Sequence, residues 1–132
     1  MASLGEFAQR IRTRGRKAAE KVDERVRKTA LVIARELVLS TPVDTSRARS
    51  NWVVGLGGAE TAEVPASSAG ATISAAESEI ARRKAGQDIY ISNNVPYIGR
   101  LNDGSSAQAP AQFVEQAIQR GVTSGRDTRI VD

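Results

Sequence analysis

The chain of 132 residues contains no cysteine and no histidine. Disulfides are therefore excluded, as are thiolate and imidazole metal ligands. The commonest general base is missing too, and with it the Ser-His and Cys-His nucleophile systems. Aromatics are scarce: Trp52, Tyr90, Tyr97, Phe7 and Phe113 are the full set. The core must rest on Val, Ile, Leu and Ala, and a core that small is often completed by a neighbouring subunit. No apolar run approaches the ~20 residues that span a membrane. Arg10, Arg12, Arg14 and Arg16 interrupt any secretory apolar segment near the N-terminus, so a soluble cytosolic product is expected.

Enzyme motifs are missing as well. No phosphate-binding loop of the G-x-x-x-x-G-K type occurs, and Gly55-Leu56-Gly57-Gly58 lacks fingerprint spacing and reads as a strand-ending turn. Glu77 and Glu79 are the closest carboxylate pair, but residues two apart on a helix do not face each other. Pro42-Val43-Asp44 has the opening of a metal-nuclease pattern without the Glu-x-Lys that should follow. Ser105 and Ser106 have no base near them in sequence. No catalysis is expected, and no cofactor or metal.

What is present is an uneven charge. Net charge is +4; residues 1–40 hold ten basic and five acidic residues, and residues 41–132 hold nine and ten. The excess on the first segment reads first as a solvated helix face and second as a surface for DNA or an acidic partner, with Arg10, Arg12, Arg14 and Arg16 as its contacts. No aromatic interleaves these arginines, so any nucleic-acid contact would be sequence-blind.

Leu4, Phe7, Ile11, Ala18, Val22, Val26, Ile33 and Leu37 recur at helical spacing, predicting one helix over residues 4–39. Gly15 is a weak point in it, and Thr41-Pro42 ends it. A helix of roughly 50 Å at 1.5 Å per residue is too long for this domain to cover. Part of it should project or pack on a neighbour. Asp44, Thr45 and Ser46 read as a polar turn, and Arg49 to Leu56 as a strand with Trp52, Val54 and Leu56 on one face. Residues 57–70 read as a loop, with a short strand at Ala62–Val64 as an option and with ordering on docking to a partner. A helix is expected over 72–85 with Gly86 as its stop, a strand over Asp88–Ser92, and a short helix over Pro96–Leu101. The last helix is expected over Ala109–Arg120, with Phe113, Val114, Ala117 and Ile118 inward and Gly121 as its stop. The fold class that follows is α+β: a long N-terminal helix, a small antiparallel sheet and short helices packed on it. Residues 1–121 form one domain, and 122–132 a flexible C-terminal arm.

Two stretches carry a resemblance. Thr41-Pro42-Val43-Asp44-Thr45-Ser46-Arg47-Ala48-Arg49-Ser50-Asn51-Trp52 is similar to the segment after the first helix of phage tail-completion and head–tail joining proteins. Ile89-Tyr90-Ile91-Ser92-Asn93-Asn94-Val95-Pro96-Tyr97, then Arg100-Leu101-Asn102-Asp103-Gly104-Ser105 and Gln108-Ala109-Pro110, follow the same family in the same order. Ser46 stands where the family usually has glycine, and Asn102 where it usually has an acidic residue. The resemblance implies a virion structural protein, made in the host cytoplasm and placed at the head–tail junction. It implies a homo-oligomeric ring, commonly of six subunits. The ring would sit between the connector or stopper protein and the major tail tube protein, with genomic DNA passing through its lumen and no membrane involved. Asn93, Asn94, Pro96, Tyr97, Arg100 and Pro110 are the candidate interface residues. Tyr97 can serve either the core or an interface; Trp52 and Phe113 are read as core. The alternative is a small sequence-nonspecific DNA-binding protein.

Overall fold

A computed structural model describes residues 3–42, 46–104 and 111–126. Its first element, helix α1, runs Leu4–Ser40 and is started by a capping box. The Ser3 hydroxyl accepts from the Glu6 amide at 3.1 Å, and the Glu6 carboxylate accepts from the Ser3 amide at 3.3 Å. The helix stops at Thr41, which turns extended ahead of Pro42. The amide and the hydroxyl of Thr41 both donate to the Leu37 carbonyl, covering a helix-end acceptor.

The remaining elements are α2 (Ser46–Arg49), β1 (Val53–Leu56), α3 (Ala69–Ala81), β2 (Ile89–Ser92), α4 (Ile98–Asn102) and α5 (Phe113–Arg126). β1 and β2 pair antiparallel, with Val54 opposite Ile91 and Leu56 opposite Ile89. Those four side chains therefore share one face. That α+β arrangement, with a long first helix, a two-stranded sheet and short helices against it, is the expected class.

The core lies along the C-terminal half of α1. Ala30 and Ala34 meet Val54, Ala76 and Ile80 in one cluster, joining α1 to the sheet and α3. Leu37 and Val38 meet Trp52, Phe113 and Ala117 in another, joining α1 to α5. Contact between α1 and α5 is unusually close, because Gly121 and Gly125 replace side chains at the crossing. A Cβ on Gly121 would lie 2.1 Å from Cγ1 of Ile33, and one on Gly125 would lie 2.0 Å from Oγ1 of Thr29. The Arg83 guanidinium, itself buried, holds the Asp23 carboxylate at 2.9 Å and the Gln87 carbonyl at 2.8 Å. This ties the chain just after α3 back to the middle of α1.

Several boundaries differ from expectation. Arg49 is not in a strand: α2 takes Ser46–Arg49, and Ser50 and Asn51 continue it as a turn, with the Ser50 amide donating to Ser46. Ser46 thus opens a helix instead of sitting in a polar turn, while Asp44 and Thr45 lie outside the described residues. Ala62–Val64 is not a strand, because its backbone bonds go to side chains. Helix α3 starts at Ala69, where the Ser68 hydroxyl accepts from Ala71, and ends at Ala81. Gly86 is therefore not its stop but the positive-φ member of a turn closed by the Gln87 amide on the Lys84 carbonyl. Pro96 precedes α4 instead of opening it. Helix α5 starts at Phe113 and passes through Gly121 to Arg126. Gly121 is thus a packing residue rather than a stop, and residues 122–126 belong to a helix rather than an arm. Ile118 is 44% exposed, so it does not face inward with Phe113 and Ala117.

Candidate interaction surfaces

The first surface is the N-terminal half of α1. Between residues 3 and 20 every side chain is exposed except Ala8 and Thr13, which are half-covered. Leu4 is 84% exposed, Phe7 53% and Ile11 55%. At about 100° per residue these three fall within one narrow stripe, and Arg10 and Arg14 flank it. Phe7, Arg10, Ile11 and Arg14 together surround a shallow depression of about 170 Å³. Arg12 and Arg16 point to the other side of the rod by the same periodicity. The four arginines thus do not form one basic face; they split into two pairs. Arg12 donates to the Gln9 side-chain carbonyl at 3.1 Å.

The second surface is built around the β2–α4 junction. The Asn93 amide donates to the Ala48 carbonyl at 2.8 Å, and its oxygen accepts from the Val95 amide at 3.1 Å. Asn94 donates to the Glu60 carbonyl at 2.9 Å, and the Ser92 hydroxyl donates to the same carbonyl at 3.2 Å. Both asparagines therefore spend side-chain capacity inside the chain, stapling α2 and the segment after β1 to the end of β2. Tyr97 is half-buried, and the Arg47 guanidinium lies 5.6 Å from its ring centroid, a cation–π distance. Arg47 also grips Glu63 with two hydrogen bonds of 2.9 and 2.6 Å. Those bonds and the guanidinium charge hold the Glu63 carboxyl below its ordinary range. Pro96 and Arg100 are exposed beside this cluster, and Pro110 lies outside the described residues.

The segment 57–68 is held on both sides. Asn51, only 1% exposed, receives the Val64 amide at 2.7 Å and donates to the Val64 carbonyl at 3.1 Å and the Arg47 carbonyl at 2.7 Å. Near its start the segment folds back over the sheet: a Cβ on Gly55 would lie 2.3 Å from the Gly58 carbonyl oxygen, so only glycine fits there. Asn51 gave no sequence signal of this task beyond its place beside Trp52. Trp52 donates its indole N–H to the Thr41 hydroxyl at 2.7 Å, which joins the Thr-Pro turn to the strand. Asn102 has a comparable local job. Its oxygen accepts from the Val114 amide at the start of α5 at 2.9 Å, and its nitrogen donates to Glu115 at 3.0 Å. An acidic side chain at 102 could accept from Val114 but could not donate to Glu115.

The third surface is a groove of about 570 Å³ between β1, the 57–68 segment and α3. Val53, Val64, Pro65 and Ala75 line it with Glu60 and Glu79 at its edge. Arg82 is also on that edge and pairs with Glu79 at 3.2 Å. Among the described residues no group of acidic side chains could hold a metal ion, and no helix is long and apolar enough to cross a membrane. Comparison with protein families, with curated proteins and with solved structures finds no match to this chain.

Proposed function

We propose that this chain is a virion structural protein of a tailed phage, a tail-completion or head–tail joining subunit that works as one copy in a ring. The observation that carries this reading is the unpartnered stripe of Leu4, Phe7 and Ile11. An apolar stripe on a rod that its own domain does not reach lowers its free energy only by meeting another surface. At ~25 cal/mol per Å² of apolar area, covering three large side chains is worth several kcal/mol before association costs. The ordered set of motifs from Thr41 to Pro110 supports the assignment to the neck of the particle. In that role the mechanism is assembly. Subunits cover each other's apolar helix surface, and loops such as the one around Tyr97–Arg100 dock to the connector or stopper and to the tail tube. Genomic DNA passes through the lumen, six subunits being the number the resemblance implies. The chain performs no catalysis in this reading.

Sequence-blind DNA binding is the other reading, resting on the five basic residues between Arg10 and Lys17. Arg10, Arg14 and Lys17 fall on one side of the rod and Arg12 and Arg16 on the other, and no aromatic interleaves them for base stacking. Electron microscopy of assembled particles carrying a tagged copy of the chain tests the proposal. The expected image has density for the tag in a ring where capsid meets tail. Tag density elsewhere, or particles complete without the chain, would reject it.

A further inference from the structure

Resting on the ring reading, we infer which two surfaces meet: the projecting end of α1 from one copy seats in the groove between β1, the 57–68 segment and α3 of the next. Phe7 and Ile11 pack on Val53, Val64 and Pro65, and Arg10 and Arg14 face Glu60.

Three observations lead to this occupant. First, α1 is a single continuous helix, and its core contacts lie in its C-terminal half. Its exposed first 17 residues, roughly 25 Å at 1.5 Å per residue, extend beyond the domain and cannot fold back into the chain's own groove. Second, charge opposes the simplest alternative, stripe against stripe. Arg10 and Arg14 flank the stripe and Glu6 is the single acidic residue of residues 3–19, so two such segments side by side repel. Third, the groove has the opposite sign. Its lining carries Glu60 and Glu79 against Arg82 alone, which leaves one carboxylate in excess. Arg82 already faces Glu79, so an incoming guanidinium meets Glu60 first. Val53, Val64, Pro65 and Ala75 give Phe7 and Ile11 apolar groups to pack on, beside Ser67 and Thr72.

The two patches differ, so the contact is head-to-tail. Such contacts repeat until they close into a ring or run on as a filament, whereas a self-complementary patch stops at a dimer. A head-to-tail contact is thus the kind a ring requires.

Because the chain has no cysteine, paired replacements report the contact without background. Ala8 flanks the stripe and Ala75 lines the groove, and both can be changed while Phe7 and Ile11 stay. Mild oxidation of A8C/A75C should give a ladder of covalent multimers on a non-reducing gel, and neither single variant should. Arg10→Glu with Arg14→Glu should cut the ladder at least tenfold, as should Glu60→Arg, and combining them should recover most of the loss. Trp52 emission checks that each variant is folded. Strong dimer formation by A8C alone would overturn the inference in favour of stripe-on-stripe pairing. A missing ladder would overturn it outright, as would a salt-sensitive shift of a DNA duplex by a chain that gives no ladder. Particles with the tag at the junction but no A8C/A75C cross-link in their necks would remove this contact and leave the functional reading standing.

Discussion

Gly121→Ala is the sharpest test of how α5 is held. Two effects oppose each other. Alanine in a helix interior is favoured over glycine by about 0.8–1.0 kcal/mol. At this position, however, the new Cβ would lie 2.1 Å from Cγ1 of Ile33 and 3.1 Å from the Thr29 carbonyl oxygen. Neither neighbour is the free end of a long side chain, and the carbonyl is backbone. Overpacking of this kind costs typically about 1–3 kcal/mol. The difference is a net loss of about 1 kcal/mol, or roughly 4 °C in Tm for a domain of this size. Gly125→Ala should cost less, since its clash is with the Thr29 hydroxyl, which a rotation about χ1 can move.

Urea and thermal unfolding followed at 222 nm measure both. The mechanism is separated from a general weakness of α5 by a double-mutant cycle with Ile33→Ala, which removes Cγ1 and Cδ1. In that background Gly121→Ala should cost at least about 1 kcal/mol less than in the parent chain. A rise in stability on Gly121→Ala alone, or an equal cost in both backgrounds, would refute the packing argument and return Gly121 to the role of helix punctuation.

Two further changes probe the stapled segment. Asn51→Ala should cost about 1–3 kcal/mol by leaving the Val64 amide and two carbonyls without their partner; the 57–68 segment should then be cut faster by protease while far-UV dichroism is unchanged. Glu63→Gln should alter the pH dependence of stability in a defined direction. The folded-state pKa of Glu63 lies below its ordinary value, so its contribution is present above the unfolded value, about 4.3. It is lost as pH falls through the lower folded value. The gap between parent and variant should thus be visible at neutral pH and low salt and close on acidification; a gap that widens below pH 4 would be the wrong sign.

The long helix was legible in sequence because its apolar period persists from Leu4 to Leu37 and Thr41-Pro42 marks its end, to which the structure adds the capping box of Ser3 and Glu6 at its start. The strands were legible in part, since four residues are too few for a period to declare itself. Around Ser46–Asn51 local bonds to the backbone made a helical turn where alternation alone suggested a strand. Gly121 was misread because a glycine that lets two helices touch and one that ends a helix look the same without the partner helix. The asparagines were recognisable as turn residues, but their targets lie 34 and 45 residues away, and no local pattern announces them. Of the surfaces, the projecting half of α1 followed from length and periodicity. The groove, formed by segments distant in sequence, did not.

The projecting half of α1 is also where local and assembled stability should separate. A helical segment of under twenty residues with no tertiary packing is marginal in water. What holds it is continuity with the buried half, the cap at Ser3 and residue propensity. Gly15 sits in its middle, and a Cβ there would meet nothing within 4 Å. Gly15→Ala should therefore add about 1 kcal/mol to helix formation over residues 4–19 without touching any packed contact. Amide exchange over these residues should slow about fivefold, while exchange at Ala34 to Val38 stays unchanged, because those amides open only with the core. Pre-ordering the rod also removes part of the ordering cost of docking it, so the same substitution should tighten subunit association by a similar factor. Exchange at residues 4–19 that is already as slow as in the core of the isolated parent chain would mean the rod has cover that its apolar stripe does not reveal.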